Sequence, residues 1–243
     1  MKETNIGSAN ARYEQQAVWT EALRSYLFKK LSGKDQLSVL EVGCGTGAVI
    51  RNLEMNYSDR IRMMAGIDIN GAVLKFAKKM NNSDYIQGDG SKLPFASHTF
   101  DLVYCHYLLL WVKEPETVIR EMKRVSKVNG LCAVMAEPCY KELSAEPEVL
   151  SELAEMQKSK LRGSGANINI GAELQSLFRN AGFTEFEFEK YQQLKSTDAF
   201  IENEIKQLTR DIGITDFKAD PKISYKYYVP TYFALAENKE DNL

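Results

Sequence analysis

The sequence predicts an α/β protein built on a mostly parallel, doubly wound sheet of seven strands. Short apolar runs typical of buried strands alternate with segments whose apolar residues recur at helical spacing. Continuous apolar strands favour a parallel sheet that helices cover on both faces. Two late strands separated by a helix favour an antiparallel last strand, and the amphipathic helix near the amino terminus favours a helical cap.

Each element follows in order along the chain. The strands are predicted at 37–43, 61–68, 83–89, 100–106, 130–138, 183–191 and 227–238. The helices are predicted at 11–31, 48–55, 70–80, 114–129, 147–161, 171–182 and 197–214. Asn70 is placed to cap one helix, Pro115 stands in the first turn of another, and Gly130 lies just beyond the end of that second helix.

The chain is predicted to form one domain with a cap. Its 243 residues suit a single large domain. We assign residues 1–36 to an N-terminal helical cap and residues 37–243 to the main domain. Regular alternation fails over about 139–170, where a charged helix precedes a glycine- and asparagine-rich stretch. This segment is predicted to be an insertion that completes the cap.

Composition argues against several classes of function. The net charge of −2 gives no basic field for nucleic acid, and no apolar run is long enough to span a bilayer. The amino terminus lacks the apolar core of a signal peptide, and the four cysteines form no CxxC pair, so we expect a cytoplasmic protein. With two histidines and no zinc-site spacing, no metal is expected.

The most informative motif is a glycine-rich turn between the first strand and the next helix. Glycine lets the backbone turn tightly and approach a ligand, and the following helix directs its amide groups at the same space. The turn comprises Glu41, Gly43, Cys44, Gly45 and Gly47. Alone it also fits a dinucleotide fingerprint, because Gly43, Gly45 and Ala48 have that spacing and Asp68 follows where an acid would hold a ribose.

Three features favour a different ligand. Glu41 places a carboxylate at the strand end, which suits a cationic amino-acid tail and would repel a pyrophosphate. Polar segments around Asp68, Asp89 and His106 follow successive strands, at the edge where open α/β sheets bind ligands. The predicted antiparallel last strand also differs from the second mononucleotide-binding half of a dinucleotide-binding fold.

Together the motifs resemble those of the class I S-adenosylmethionine-dependent methyltransferases, and in particular the branch that includes ubiquinone- and menaquinone-biosynthesis enzymes. VLEVGCGTG is similar to the first motif of this Rossmann-like family, GIDIN to the second and GDGSKLPF to the third. FDLVYC and RVSKVNGLCAVMAEP are similar to the fourth and fifth. The resemblance runs from about Leu37 to Pro138 and implies S-adenosyl-L-methionine as the cofactor.

The resemblance also implies a set of cofactor-binding residues. They are Tyr13, Glu41, Gly43, Cys44, Gly45, Gly47, Asp68, Ile69, Asp89, Gly90, Ser91 and Cys105. Glu41 and the glycine turn would line the methionine part, Asp68 would accept the ribose hydroxyls, and residues 89–91 would face the adenine. Asp68 is also compatible with a helix cap, and Asp89 with an Asx-turn.

Catalysis in such a site would depend on alignment of the electrophilic methyl group for in-line displacement. A general base is needed only for an acceptor that loses its proton early. His106, just past the fourth strand, is one candidate, and Glu137 and Tyr140, after the fifth, are two more. His106 is equally compatible with a turn histidine packed beside Trp111.

The acceptor is expected to be a small molecule. The motif of adenine amino methyltransferases is replaced by Cys105-His106-Tyr107-Leu108, and the paired-glutamate hairpin of protein arginine methyltransferases is not evident. The cap would enclose the acceptor, with an aromatic wall from Tyr191, Tyr225, Tyr227, Tyr228, Tyr232 and Phe233. Two alternatives stay open, an NAD(P)-dependent oxidoreductase and a non-catalytic binding module, and so does the oligomeric state.

Overall fold

The computed structural model of the protein describes residues 3–191, 198–214, 217–220 and 222–239. The helices are α1 (Glu3–Trp19), α2 (Glu21–Lys30), α3 (Ala48–Tyr57), α4 (Gly71–Met80), α5 (Pro115–Val125), α6 (Glu148–Gly163), α7 (Ile170–Asn180) and α8 (Asp198–Ile212). The strands are β1 (Leu37–Val42), β2 (Ile61–Asp68), β3 (Asp84–Gln87), β4 (Phe100–His106), β5 (Ser126–Pro138), β6 (Ser144–Glu146), β7 (Glu187–Tyr191), β8 (Lys226–Tyr228) and β9 (Thr231–Glu237). The outer ends of the predicted domains, 1–2 and 240–243, and the predicted helix start at 197 lie outside the described residues.

Seven strands form the main sheet, in the order β3-β2-β1-β4-β5-β9-β7. Strands β1 to β5 pair in parallel, whereas β9 is antiparallel to both β5 and β7. The predicted Rossmann-like fold with an antiparallel last strand is confirmed. Because β1, β2 and β4 run in the same direction, their carboxyl ends meet at one edge.

Helices cover both faces of this sheet, which explains why its central strands are continuously apolar. All six residues of β1 are buried. Successive residues point to opposite faces, so Val39 packs into one hydrophobic core and Leu40 into the other. Leu102 and Val103 of β4 divide in the same way. Each such side chain contributes roughly 1.5–3 kcal/mol when fully buried.

Two helix starts follow the predicted local chemistry. The Asn70 side chain accepts a hydrogen bond from the Ala72 amide at 3.0 Å, which confirms it as the N-cap of α4. Pro115 opens α5, where its missing N–H costs nothing. The buried face of α5 carries Val118, Ile119, Met122 and Val125.

The predicted single helix at 11–31 is wrong, because the chain forms two helices that meet at Thr20. The Thr20 amide bonds to the Ala17 carbonyl at 3.3 Å, which tightens the end of α1. The buried Arg24 guanidinium reaches back to the same carbonyl at 2.6 Å. A side chain of α2 therefore caps α1 and stabilises the break.

The predicted helix end at Gly130 is also wrong, because α5 ends at Val125 and β5 begins at Ser126. The left-handed conformation falls on Asn129, with a φ of 59°. Its amide donates to the Asn238 carbonyl, and the Asn238 amide donates to the Gly130 carbonyl, each at 2.8 Å. Pairing with the end of β9 thus extends β5 beyond the predicted start.

The predicted strand at 227–238 is divided into β8 and β9. Pro230 lies between them and has no N–H to donate to a ladder. β8 pairs with β6, a strand that was not predicted, in a separate two-stranded sheet. This small sheet belongs to a third core that joins Leu150 of α6, Ile205 of α8 and Tyr227.

The cap insertion predicted over 139–170 is therefore completed by α8 and β8, from much later in the chain. The domain division at residue 36 and this insertion stay predictions. All four cysteines are buried and free. Across the ranges given above, no helix is both long and apolar enough to cross a membrane.

Candidate functional site

A cavity of about 740 Å³ opens at the carboxyl edge of the sheet. The ends of β1, β2 and β4 contribute Glu41, Asp68 and His106 to its lining. Helices α1, α6 and α8 supply the opposite walls, from residues such as Arg12 and Gln157. After the ligands that the sequence predicts, we call the part beside β1 and β2 the cofactor end and the part beside α6 and α8 the acceptor end. Of the strand-end residues singled out in the sequence, Glu41, Asp68 and His106 thus share one cavity, whereas Asp89 is not part of its lining.

The glycine turn needs its glycines. Gly43, Gly45 and Gly47 have φ values of 74°, 53° and 74°, a left-handed conformation that other residues adopt at a cost. A Cβ on Gly47 would overlap the Tyr85 hydroxyl, and one on Gly45 would stand 3.4 Å from the Tyr13 ring. The backbone can therefore approach its neighbours and a ligand closely. Gly43, Cys44 and Gly45 line the cavity, whereas Gly47 lies behind it.

Asp68 holds the glycine turn to the end of β2. One carboxylate oxygen accepts the Gly45 amide at 2.9 Å, and the other accepts the Asn70 amide at 2.8 Å. The side chain is half-buried and lines the cavity, and the neighbouring Ile69 is 70% exposed at its mouth. Asp68 thus has a structural role and still faces the space where a ligand would bind.

Glu41 is a buried carboxyl group on the cavity wall. The Tyr104 hydroxyl donates to it at 3.2 Å. Burial raises the pKa of Glu41 to about 8, against the opposing effects of the Tyr104 hydrogen bond and the Arg24 charge. A cation close to Glu41 would therefore favour ionisation of its carboxyl group.

Besides Gly47, four residues that the resemblance placed at the cofactor lie outside the cavity lining. Asp89, Gly90 and Ser91 form a local turn, in which the Asp89 carboxylate accepts the Ser91 amide at 2.8 Å. This is the geometry of an Asx-turn. Cys105 is fully buried in β4.

The three candidate bases differ in position. His106 lines the cavity, and its Nε2 lies 3.2 Å from Thr20 Oγ1. Burial lowers the pKa of His106 to about 3, and the Arg24 charge acts in the same direction. Tyr140 lines the acceptor end, where burial raises the pKa of its hydroxyl to about 12. Neither group readily accepts a proton at neutral pH.

Glu137 is fully buried and lies outside the cavity lining. Its carboxylate accepts the amides of Leu108 and Leu109 at 2.8 Å and that of Leu110 at 3.3 Å. Burial raises the pKa of Glu137 to about 7, although these amides oppose the shift. The residue therefore holds the turn after β4 in place.

The acceptor end is built mainly from residues that the sequence did not indicate. Arg12 of α1 forms a two-pronged ion pair with Glu204 of α8, at 2.6 and 3.0 Å, and its guanidinium stacks over Trp19 at 4.6 Å. The Tyr227 hydroxyl donates to Gln157 of α6 at 2.5 Å. These contacts join elements up to 192 positions apart, so no local motif could have revealed them.

The predicted aromatic wall is only partly at the cavity. Tyr227 and Tyr228 line it, together with aromatic residues that were not predicted for this role, Trp19, Tyr107 and Trp111. The remaining predicted members lie elsewhere: Tyr191, Tyr225, Tyr232 and Phe233. A tyrosine-rich carboxyl terminus was a weak signal because most aromatic residues serve packing.

Comparison with known proteins adds independent information. A sequence profile of the methyltransferase domain matches residues 40–134. The malonyl-[acyl-carrier protein] O-methyltransferase of Legionella pneumophila is 27% identical over 154 residues, 60% of this chain and 54% of the relative. The demethylmenaquinone methyltransferase of Lactococcus lactis is 27% identical over 198 residues, 74% of this chain and 77% of the relative. The chain spans about half the length of several such relatives.

A solved structure shows the same fold. Phosphoethanolamine N-methyltransferase 2 of Haemonchus contortus, in complex with phosphomonomethylethanolamine and S-adenosylhomocysteine, superposes with a TM-score of 0.59 at 15% identity. The superposition covers 90% of this chain and 53% of that protein.

The strand order defines a Rossmann-like fold with a single antiparallel strand, and the glycine turn lies at its cavity. Residues 40–134 match the methyltransferase-domain family and the curated relatives are methyltransferases, so the predicted resemblance to the class I S-adenosylmethionine-dependent methyltransferases is confirmed. The predicted resemblance to the menaquinone-biosynthesis branch is confirmed by the Lactococcus relative.

Proposed function

We propose that the chain binds S-adenosyl-L-methionine at the cofactor end of its cavity and transfers the methyl group to a small molecule at the acceptor end. One observation carries the proposal. Glu41, the glycine turn and Asp68 share a single cavity with a second, chemically different group of side chains from α1, α6 and α8. A site for two substrates that react by in-line displacement needs this arrangement.

The cofactor end fits this ligand. A buried carboxyl at Glu41 suits the cationic amino-acid tail, because an ammonium group would offset the cost of ionising it. Asp68 uses one lone pair of each oxygen for a backbone amide, which leaves both oxygens able to accept a ribose hydroxyl. When bound, the cofactor supplies an electrophilic methyl group. Tyr13, Glu41, Gly43, Cys44, Gly45, Asp68 and Ile69 are the residues proposed to hold it.

At the acceptor end the protein orients its substrate and excludes water. The ion pair of Arg12 with Glu204 neutralises both charges and ties α1 to α8 above the cavity. The phenol rings of Tyr107, Tyr140 and Tyr227 offer apolar area with polar tips. These features suit a compact acceptor that carries both apolar and hydrogen-bonding groups. The name of the Legionella relative adds acceptors attached to a carrier protein to those worth screening.

Calorimetric titration tests the proposal directly. S-adenosylhomocysteine and S-adenosylmethionine should each bind one site, and NAD and NADP should not bind. Binding of a nicotinamide cofactor without S-adenosyl binding would overturn the proposal. A screen of acceptors with methyl-labelled S-adenosylmethionine then separates an enzyme from a binding module, since only an enzyme releases S-adenosylhomocysteine in proportion to acceptor methylated.

A further inference from the structure

His106 lies between the cavity and a buried polar cluster. The cluster consists of Thr20, Arg24, Asn52 and the Ala17 carbonyl, and Thr20 Oγ1 is the member within reach of His106 Nε2, at 3.2 Å. The two ring nitrogens of a neutral histidine differ, since one donates a hydrogen bond and the other accepts. Hydrogen bonds from the cluster can therefore determine whether the ring nitrogen that faces the cavity donates or accepts.

Arg24 fixes the direction of the hydrogen bonds in this cluster. It is 1% exposed and donates to Thr20 Oγ1 at 2.7 Å, to the Ala17 carbonyl at 2.6 Å and to Asn52 Oδ1 at 2.8 and 3.1 Å. A guanidinium can only donate. The hydrogen of the Thr20 hydroxyl must therefore point away from Arg24, toward another acceptor.

Three acceptors lie within reach of that hydrogen. His106 Nε2 is at 3.2 Å, the Ala17 carbonyl at 3.3 Å and the Gln16 carbonyl at 3.5 Å. The Ala17 carbonyl already accepts from Arg24 and from the Thr20 amide, which occupies both of its lone pairs. The Gln16 carbonyl is at the limit of hydrogen-bonding distance. Nε2 is thus the best acceptor.

Electrostatics favours the same arrangement. The Arg24 cation lies beyond Thr20, on the side of the ring that carries Nε2, so a lone pair on Nε2 faces positive charge. Burial lowers the pKa of His106, which keeps the ring neutral at physiological pH. With Nε2 accepting, the single proton of a neutral ring resides on Nδ1.

Nδ1 is the nitrogen left for a ligand. Within the ranges that the structure describes, the imidazole ring of His106 has no hydrogen-bond partner besides Thr20. In the same ranges, the fully buried polar side-chain atoms that lack a hydrogen-bond partner are Thr46 Oγ1, Asn169 Oδ1 and Thr231 Oγ1. Nδ1 of His106 also lacks a partner but is not one of these atoms, so it is not fully buried. Because His106 lines the cavity, Nδ1 is open to it.

We propose that Arg24 and Thr20 are positioning residues that hold His106 with its proton on Nδ1, so that His106 offers the acceptor a hydrogen-bond donor and does not act as a general base. The role of this donor rests on the proposed methyl transfer. It requires an acceptor that arrives with its nucleophilic electron pair already available. It also requires an atom beside the reacting one, or an anionic reacting atom, that accepts a hydrogen bond from Nδ1.

Long-range ¹H–¹⁵N correlation spectra of the full-length, ¹⁵N-labelled protein at pH 7 test the proposal. The chain has two histidines, His98 and His106, so a His98→Gln variant assigns the spectrum. We expect Nδ1 of His106 to carry the proton in the wild-type protein. Thr20→Val should shift the tautomer ratio about fivefold toward Nε2–H, which corresponds to ~1 kcal/mol for one lost hydrogen bond. Thr20→Ser should restore the wild-type ratio.

The wild-type spectrum decides the matter even if Thr20→Val fails to fold. A proton on Nε2 in the wild-type protein would overturn the proposal, and so would an unchanged ratio in a folded Thr20→Val variant. The measurement needs no cofactor. A failure here therefore leaves the proposed methyl transfer standing, and a failure to bind S-adenosylhomocysteine leaves the tautomer result standing.

Discussion

The two ends of the cavity are built in different ways. At the cofactor end, backbone amides and carboxylates from consecutive strand ends make the contacts, as between Asp68 and Gly45. At the acceptor end, side chains from distant elements meet, as between Arg12 and Glu204. The first end is fixed by local backbone geometry, whereas the second depends on how α1, α6 and α8 pack around a small separate core.

This difference has a functional consequence. A site made from backbone and strand ends cannot change without changing the fold, which suits a ligand that stays the same. A site made from side chains on helices can be altered one residue at a time, which suits ligands that vary between relatives. Substitutions should therefore affect the two ends separately.

The largest effect is expected from Asp68→Ala. Loss of two charged hydrogen bonds to the ribose should weaken S-adenosylhomocysteine binding by about 2–4 kcal/mol. Calorimetry measures this directly, with Asp84→Ala, an exposed aspartate at the start of β3, as the control that should bind normally. If the two variants bind S-adenosylhomocysteine with equal affinity, Asp68 does not contact the ribose.

The next effect concerns the acceptor end. Arg12→Ala leaves Glu204, whose side chain is 10% exposed, without its ion-pair partner. We expect a loss of about 2 kcal/mol in the free energy of unfolding. Arg120→Ala removes a partner of Glu116 at the surface and should cost less than ~1 kcal/mol. Cofactor affinity should stay nearly constant in both, and a large loss in Arg12→Ala would show that the ends are coupled.

A smaller effect distinguishes a glycine that the backbone conformation requires from one that it does not require. Gly47→Ala places a Cβ in a left-handed conformation against Tyr85, and should cost about 1–2 kcal/mol of stability. In contrast, Gly163→Ala meets no atom within 4 Å near the end of α6 and should be neutral or slightly stabilising. Urea unfolding compares the two, and equal stability would mean that Gly47 is not needed for the turn.

The mildest effect is a pH dependence. Glu41 has a pKa of about 8, so below that pH a cation must displace its proton on binding. S-adenosylhomocysteine affinity should therefore rise with pH between 6 and 8, by at most about tenfold per unit. Glu41→Gln should remove this component of the slope. If the wild-type and variant slopes agree, Glu41 does not meet the ammonium group.

The comparison also explains what the sequence could reveal. Strand periodicity and the glycine turn depend on neighbours in the chain, so the sheet and the positions of Glu41 and Asp68 were predictable. The break at Thr20 was not, because it depends on Arg24 reaching back to a carbonyl of the preceding helix. Nor was the position of Glu137, whose carboxylate is used by three amides of a turn 27 to 29 residues away. Tertiary contacts of this kind leave no local pattern.

Hydrogen exchange with and without S-adenosylhomocysteine tests the two-ended cavity most directly. The ligand should slow amide exchange at residues 43–48 and 68–70 and around Tyr13, and leave β7 unchanged. Exchange in α6 and α8 should respond only when an acceptor is also present. Protection confined to α6 and α8, with the glycine turn unaffected, would contradict the account, because the cofactor would then occupy the end assigned to the acceptor.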